Sequence, residues 1–507
     1  MDFMEKKTDK ILNLAIRRGI ILPSFEIYGE LSGFYDYGPI GARIKQRIAS
    51  QWRKFFIEDI GNLEIETTII APEKVFEASG HLKTFTDPII SCAECKTSYR
   101  ADKLLEEFFE HKNDLETRQK IKQLSFNEMF ELIKINKLKC QKCSHDLSLS
   151  KVETFNLMLG TNVGPLNGIK AYMRPETAQG IFLDFKTIFR AYGLKLPIGI
   201  GQIGKAFRNE ISPRNILIRM REFSQMELEY FFDPEDTELK INNNIIDTAF
   251  LNQKINLLTV DDQTKTQTIE YNEITIQDAL NNKIIPNKLF AFIIYKEMEF
   301  MLNLGFKQNN FRFRQMLPNE LPHYSKTNID LEVEIDGNFE EVAGNSYRTD
   351  FDLKNHEKYS NLDMSIVNSN KKLVPHVVEI SFGLDRLFWS ILVNSLHKDK
   401  REWDILILNK NISPYIYAVF PLQKDDKILK KSNQIISLLS KNNISSYFSA
   451  SNSIGKRYAK ADEIGINYSI TIDFQTLQDN TVTIRDIKDS TQVRKNINEL
   501  IQYITDN

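Results

Sequence analysis

Residues 218–232 read IRMREFSQMELEYFF, and their period of two constrains the chain more than any other stretch. The even positions are mostly apolar (Ile218, Met220, Met226, Leu228, Tyr230), while the odd ones run Arg219, Arg221, Phe223, Gln225, Glu227, Glu229. Such alternation predicts a β-strand from Ile218 onward, with one face passing from arginines through an aromatic ring to carboxylates. One reading is a solvated sheet face, common in antiparallel sheets. The other is a binding floor. Same-face side chains lie roughly 7 Å apart, so the floor would grade from anion-binding to cation-binding, as a nucleotide lying beside an ammonium compound requires.

Two further segments favour the second reading. GKAFRNE (204–210) sets Arg208 and Glu210 on one face of a strand, and ISPRNIL (211–217) is a plausible loop back into the opening stretch. The pair would gather Arg208, Glu210, Arg219, Phe223 and Glu227 in one neighbourhood. In HVVEISFGLDRLFWSIL (376–392), Glu379 and Ser381 share one strand face and Val378, Ile380 and Phe382 the other. Gly383 then breaks into an apolar helix with Arg386 in its first turn. A cation there opposes the helix dipole by a few tenths of a kcal/mol, which suggests a ligand phosphate; simple surface exposure is the alternative.

The four cysteines fall as Cys92-x-x-Cys95 and Cys140-x-x-Cys143. Two such knuckles supply a closed, structural four-thiolate zinc site, the intervening residues being filled by a helical insert over 100–135; redox-active pairs are the alternative. His145 is read as surface. A chain of 507 residues has room for two to four domains, and a formal charge of -2 confines any nucleic-acid contact to local basic patches. No apolar run reaches 18 residues and the start lacks a signal-peptide core, so a cytoplasmic protein without a membrane anchor is expected.

Helices are expected over 5–20, 40–58 and Thr177 to about Tyr192, and a hairpin over 328–343 turning at Asp336-Gly337. Residues 240–290, rich in Asn and Thr, look like an insertion. From Asp404, DILILN, YAVFPL and SSYFS alternate with an amphipathic helix bearing Ile428, Leu429, Ile435, Ile436 and Leu439, which predicts a small α/β unit.

These residues carry a resemblance. Phe207-Arg-Asn-Glu210, a loop, and Arg219-x-x-x-Phe223 resemble motif 2 of the class II aminoacyl-tRNA synthetases, Gly383-Leu-Asp-Arg386 resembles motif 3, and the surroundings of Pro39 in GFYDYGPIGARIKQ resemble the dimer-forming motif 1. More narrowly, FYDYGPIG, FEASGHLKTFTDP, YMRPETAQGIF, RNEISPR, REFSQMELEYFF, RTDFDLKNH and SIGKRYAKADEIG are similar, in order, to the homodimeric glycyl-tRNA synthetases of archaeal and eukaryotic type. The resemblance implies an α+β fold: a class II antiparallel-sheet catalytic domain over 1–400, with a zinc-binding insertion at 88–150 and the 240–290 insertion, then an α/β anticodon-binding domain over 401–507.

It also implies an activity. Glycine would be activated by ATP with magnesium to glycyl-adenylate and pyrophosphate, then transferred to the 3′ end of tRNA(Gly) by a homodimer. Arg208 would hold the α-phosphate and Arg386 the γ-phosphate, as the catalytic pair. Arg219 would lie near the phosphate tail, Phe223 would stack on adenine with Arg386 over the other face, and Glu210 would accept from the adenine amino group. Asn209, Met220, Glu341 and Val342 complete the ATP set, Glu341 through magnesium. Glu176, Glu227, Glu379, Ile380 and Ser381 form the glycine set, where carboxylates hold the ammonium and a filled pocket rejects a Cβ. Cys92, Cys95, Cys140 and Cys143 would bind zinc. Lys456, Arg457, Lys460, Arg485 and Arg494 are candidate anticodon contacts, with Tyr458 for stacking.

The chain departs from the family pattern at Ile380, where a proline is usual, at GNSYR after Val342-Ala343, and at TIRDIKDSTQ. The alternatives are a class II synthetase for threonine, proline or histidine, which the glycine set opposes, and a non-catalytic relative such as a DNA polymerase accessory subunit. The latter would be expected to lose the phosphate arginines.

Overall fold

The computed structural model describes residues 6–506 except 113, 115–116, 118–119, 122–123, 167, 212, 214, 237, 242–243, 266–270, 398–400 and 402. Its centre is a nine-stranded sheet. In chain order the strands are β1 (Leu63–Glu64), β2 (Ile198–Phe207), β3 (Glu222–Phe232), β4 (Lys254–Leu258), β5 (Asn272–Thr275), β6 (Phe311–Gln315), β7 (Thr327–Ile335), β8 (Asn338–Thr349) and β9 (His376–Gly383). In space they run β5-β4-β6-β7-β8-β9-β3-β2-β1. Pairing is antiparallel except at β1/β2 and β4/β6.

The opening stretch becomes β3, but the strand starts at Glu222 rather than Ile218. Residues 215–218 form a turn and the alternation there is not that of an extended chain. From Phe223 on, the expected alternation holds. Met226, Leu228 and Tyr230 join the main core, while Phe231 packs with Ile198 and Ile200 in a second core on the other face. Both faces are therefore covered, and the carboxylates at 227 and 229 are buried rather than solvated.

Helices α1 (Lys7–Arg17), α2 (Pro39–Trp52), α3 (Ala178–Ala191), α4 (Lys288–Leu304) and α5 (Leu384–Ser395) clothe the sheet. Residues from α1, α2, α4 and α5 build the main core; α3 contributes Ile181, Phe182 and Phe185 to the second, where Phe185 stacks on Phe231 with centroids 3.8 Å apart. The β7–β8 hairpin turns at Asp336-Gly337, both in the left-handed region at φ 49° and 83°, the geometry a two-residue turn of primed type demands. The Asp336 carboxylate then accepts from the backbone N–H of Lys7 (3.0 Å) and of Thr8 (3.1 Å), capping α1. The 240–290 segment supplies β4 and β5, extending the sheet at one edge.

Between the 86–91 and 152–156 strands, which pair with each other, lie the cysteine pairs and the helices Ala101–His111 and Phe126–Ile135. These have a small core of their own, including Leu105, Phe109, Met129 and Ile133. Beyond α5, the DILILN stretch is extended only over Ile405–Leu406, and Leu406, Leu408 and Ile412 pack in the main core. A second sheet follows, built from β10 (Tyr417–Pro421), β11 (Ser446–Phe448), β12 (Tyr468–Ile472), β13 (Thr481–Asp486) and β14 (Gln492–Asn496) in the order β11-β10-β12-β13-β14. Helices α6 (Asp426–Lys441) and α7 (Ile454–Glu463) flank it, the apolar stripe of α6 burying Ile428, Ile435 and Leu439.

Candidate active site

One cavity of about 220 Å³ opens over β3, β8 and β9. It gathers residues from the segments that carry the candidate ATP and glycine sets: Arg208, Glu210, Arg219, Met220 and Phe223; Glu341 and Val342; Arg386; and Glu176, Glu227, Glu379 and Ser381. Two expected residues are absent from its lining. Asn209 uses its backbone N–H on the Leu157 carbonyl at 2.8 Å. Ile380 turns its side chain to the other face of β9 and is wholly buried in the main core with Val378 and Phe382, as strand alternation requires.

The cavity has two ends of opposite charge. At the cationic end Arg208 donates through Nε to the Pro175 carbonyl (3.1 Å), and its guanidinium lies 5.1 Å from the centroid of Phe223 and 5.3 Å from that of Phe85. Arg219 Nε donates to Glu210 at 2.6 Å and lies 3.7 Å from Asp87 through Nη2. Arg386 Nε donates to the Ile218 carbonyl at 2.9 Å, while Nη1 reaches both the carbonyl (3.1 Å) and the carboxylate (3.3 Å) of Glu341. Arg221, expected on the same face as Arg219, instead bonds the Glu210 and Ser32 carbonyls because the chain is not yet extended there. Next to Arg386, the buried Asp385 accepts from the Ser224 N–H, from Tyr37 and from Lys45. A single carboxylate thus ties α5 to β3, to α2 and to the residue two positions before it.

At the anionic end the carboxylates differ in their partners. Glu227 accepts from the Thr177 N–H (2.7 Å), the Thr177 hydroxyl and Ser381 Oγ (2.7 Å), yet burial and the nearby Glu176 push its carboxyl up. Burial also lifts Glu379, to about 7, against the pull of Arg348, whose Nη1 lies 3.0 Å from both of its oxygens. For Glu176 burial is outweighed by His81, Arg348 and Gln179, which hold it well below the usual carboxylate range. Directly across from Glu379 in the register, Glu229 is fully buried, with no hydrogen-bond partner for either oxygen among the described residues. Burial and Glu379 drive its carboxyl far up.

Sequence reasoning passed over Arg348. It is 1 % exposed, forms a two-point bond to Asp352 (2.7 and 2.9 Å), holds Glu379, and lies 3.8 Å from Glu176 and 3.8 Å from the ring centroid of Tyr324. Asp330, in the same cavity, was passed over too; burial and Glu341 raise it well above the ordinary range.

Comparison with known proteins bears on this arrangement. Residues 166–395 match the tRNA synthetase class II core domain (G, H, P, S and T), and residues 417–507 match an anticodon binding domain. Glycine–tRNA ligase of Pyrococcus horikoshii is 37 % identical over 519 residues, covering 86 % of this chain and 88 % of its own length. Those of Methanothrix thermoacetophila (34 % identical, 84 % of each chain) and Methanocaldococcus jannaschii (34 %, 87 % of this chain and 89 % of its own) align as fully. The chain belongs to the glycine–tRNA ligase family.

Within this member of the glycine–tRNA ligase family the four cysteines converge. Their sulfurs lie within 4.8 Å of one another, with Cys92–Cys143 at 3.6 Å and Cys95–Cys140 at 3.5 Å. Four thiolates at about 2.3 Å from one ion in a tetrahedron would stand about 3.8 Å apart, so the cluster fits a metal and no disulfide links it. In the anticodon-binding domain three of the expected contacts are engaged internally. Arg457 is buried against the Pro421 and Leu422 carbonyls, Arg485 grips Asp462 at 2.8 and 2.9 Å, and Arg494 pairs with Asp473. Tyr458 bonds Thr471 at 2.5 Å. Lys456 and Lys460 are exposed.

Proposed function

We propose that this chain is a glycine–tRNA ligase that activates glycine with ATP and transfers it to tRNA(Gly). What supports the reading is the polarity of one cavity: Arg208, Arg219 and Arg386 at one end and Glu176, Glu227 and Glu379 at the other. A glycine carboxylate, ionised at neutral pH, attacks the α-phosphorus; the new C–O–P bond forms as the bond to the β-phosphate oxygen breaks and pyrophosphate leaves. A 3′-terminal ribose hydroxyl then attacks the carbonyl and AMP departs. No protein base is needed for the first step, so alignment and charge stabilisation carry it.

In this reading Arg208 steadies the α-phosphate, Arg386 and Arg219 the tail, and Phe223 the adenine, with Glu210 accepting from its amino group. Glu176, Glu227, Glu379 and Ser381 receive the ammonium. The close pair Asp330 and Glu341, whose mutual repulsion a cation would relieve, suits magnesium, which supplies charge neutralisation of the phosphates. The cysteine cluster takes structural zinc. A homodimer is supported by Ile27 and Tyr28, 87 % and 86 % exposed in the segment leading to α2. A cytoplasmic setting accords with free thiols. Among the described residues no helix is long and apolar enough to cross a membrane.

The test is ATP–pyrophosphate exchange driven by each of the twenty amino acids. Exchange with glycine alone is expected. Exchange with threonine but not glycine would move the chain to another class II specificity, and no exchange at all would make it a binding module.

A further inference from the structure

We propose that His81 is a positioning residue for Glu176, orienting that carboxylate for the substrate ammonium; the inference rests on the glycine-pocket reading above. His81 lies just before the strand that leads to the cysteine cluster, far in sequence from the pocket strands. Its ring is buried and wedged edge-on between Phe76 and Phe85, with centroids 6.3 and 5.6 Å away. Nδ1 lies 2.7 Å from Ser79 Oγ, and Nε2 faces Glu176 Oε2 at 3.4 Å.

A carboxylate oxygen only accepts, so the hydrogen on the Glu176 side belongs to Nε2. In a neutral ring Nδ1 is then the acceptor of the Ser79 hydroxyl. Glu176 thereby fixes the tautomer, and the Ser79 hydroxyl, able to donate or accept, accommodates it. Distances of this kind tighten when substrate completes the site.

The other oxygen of Glu176 is held with equal care. Oε1 accepts from Gln179 Nε2 at 2.8 Å, the same amide nitrogen lies 3.3 Å from Asp352, and its oxygen lies 2.9 Å from His356 Nε2. Burial lowers the affinity of His356 for a proton, so it meets that oxygen as the neutral Nε2–H donor. Ser79–His81 and Glu176–Gln179–His356 thus form two hydrogen-bonded runs along the pocket wall, which the 3.4 Å approach of His81 Nε2 to Glu176 joins. The charged or titratable groups facing Glu176 besides His81 are Arg348, Glu227, Glu379, Asp352 and Tyr324. Only Arg348 among them is a cation, and it is already committed to Asp352 and Glu379.

The experiment compares His81→Phe with His81→Gln by pyrophosphate exchange at one pH over a matrix of glycine and ATP concentrations. Phenylalanine keeps the aromatic wedge and removes the donor; glutamine restores an N–H near the Nε2 position. His81→Phe is expected to raise KM for glycine about tenfold, the worth of one charge-assisted contact, with KM for ATP unchanged and kcat within about twofold. His81→Gln should return KM for glycine towards wild type. An unmoved KM for glycine in His81→Phe, or equal defects in both variants, overturns the assignment and leaves a packing role. Wild-type protein that shows no exchange with glycine fails the underlying reading instead, and the two failures are distinguishable.

Discussion

Arg219 and Glu210, assigned to the phosphate tail and the adenine of one nucleotide, hold each other in this structure through Nε and Oε2 at 2.6 Å. Glu210 is 7 % exposed, so its carboxylate has little water to fall back on. ATP must therefore either displace this pair or use the second oxygen of Glu210. Replacing Arg219 with alanine is expected to raise KM for ATP by about ten- to a hundredfold, with KM for glycine within about twofold, since a charge-assisted hydrogen bond is worth roughly 1.5–3 kcal/mol. Initial rates of exchange over a matrix of the two substrates measure this. An equal rise in both Michaelis constants would detach Arg219 from the nucleotide end.

Glycine binding should release protons. The Glu379 carboxyl titrates at about 7 in the free pocket, raised by burial, and an arriving ammonium favours its ionised form. Affinity is then full above pH 7 and falls below it, by up to about tenfold per unit while one group dominates. Isothermal titration in two buffers of different ionisation heat reads the proton count directly. Identical heats in both buffers at pH 6.5 would contradict the linkage.

A second buried acid acts on stability alone. Glu297 on α4 is fully buried and pushed up to about 8 by burial. Its Oε2 accepts from Asn345 Nδ2 at 2.7 Å, while Oε1 and Asn345 Oδ1 find no partner among the described residues. Because the folded value lies above the unfolded one, this group's contribution is intact below about pH 4.5 and drains away between there and pH 8. Glutamine at this position supplies a donor for Asn345 Oδ1 and has no proton to lose. Glu297→Gln is expected to raise the thermal midpoint at pH 8, by an amount equivalent to about 2 kcal/mol or more, and to leave it nearly unchanged at pH 5. A gain that is the same at both pH values would place the cause elsewhere.

Elemental analysis should return about one zinc per chain, and chelation should loosen residues 86–156 before the sheet, because their small core is separate from the main one. Limited proteolysis with and without chelator reads this. Protein free of metal, with four reduced thiols and an unchanged cleavage pattern, would end the zinc assignment.

Arg485 tests a different expectation. Its two-point bond to the 1 % exposed Asp462, shared with Arg401 and Trp403, makes it part of the domain's interior. Removing one member of such a buried group typically costs about 3–5 kcal/mol. Arg485→Ala should therefore lower the unfolding midpoint of the C-terminal domain, whereas Lys456→Ala, at an exposed site, should leave it in place. If Arg485→Ala weakens tRNA binding with no loss of stability, the arginine reaches RNA after all.

The parts of the site that could be read in the sequence are those carried by strand alternation. Phe223 and Glu227 on β3, and Glu379 and Ser381 on β9, face the cavity because period two leaves them no other side once their apolar neighbours enter the core. Arg221 showed the limit of that signal: the alternating pattern begins before the strand does at Glu222, and there it no longer assigns a face. Arg348 was illegible for another reason. A buried charge is explained by its partners, and those of Arg348 come from β9, from the helix Phe351–Ser360 and from the segment before α3. The same blindness made Arg457 and Arg485 look like RNA contacts, since an arginine committed to a carbonyl or carboxylate inside a domain is spelled no differently from one on the surface.

Strand β9 shows how narrow the margin for change is. Its cavity residues, Glu379 and Ser381, and its core residues, Val378, Ile380 and Phe382, occupy alternate places along a single ladder between β8 and β3. Slipping that ladder by one step would present Val378 and Ile380 to the amino acid and drive the Glu379 carboxyl and the Ser381 hydroxyl into hydrocarbon. Evolution can thus retune this enzyme's choice of substrate by exchanging side chains here, but not by adding or deleting a residue.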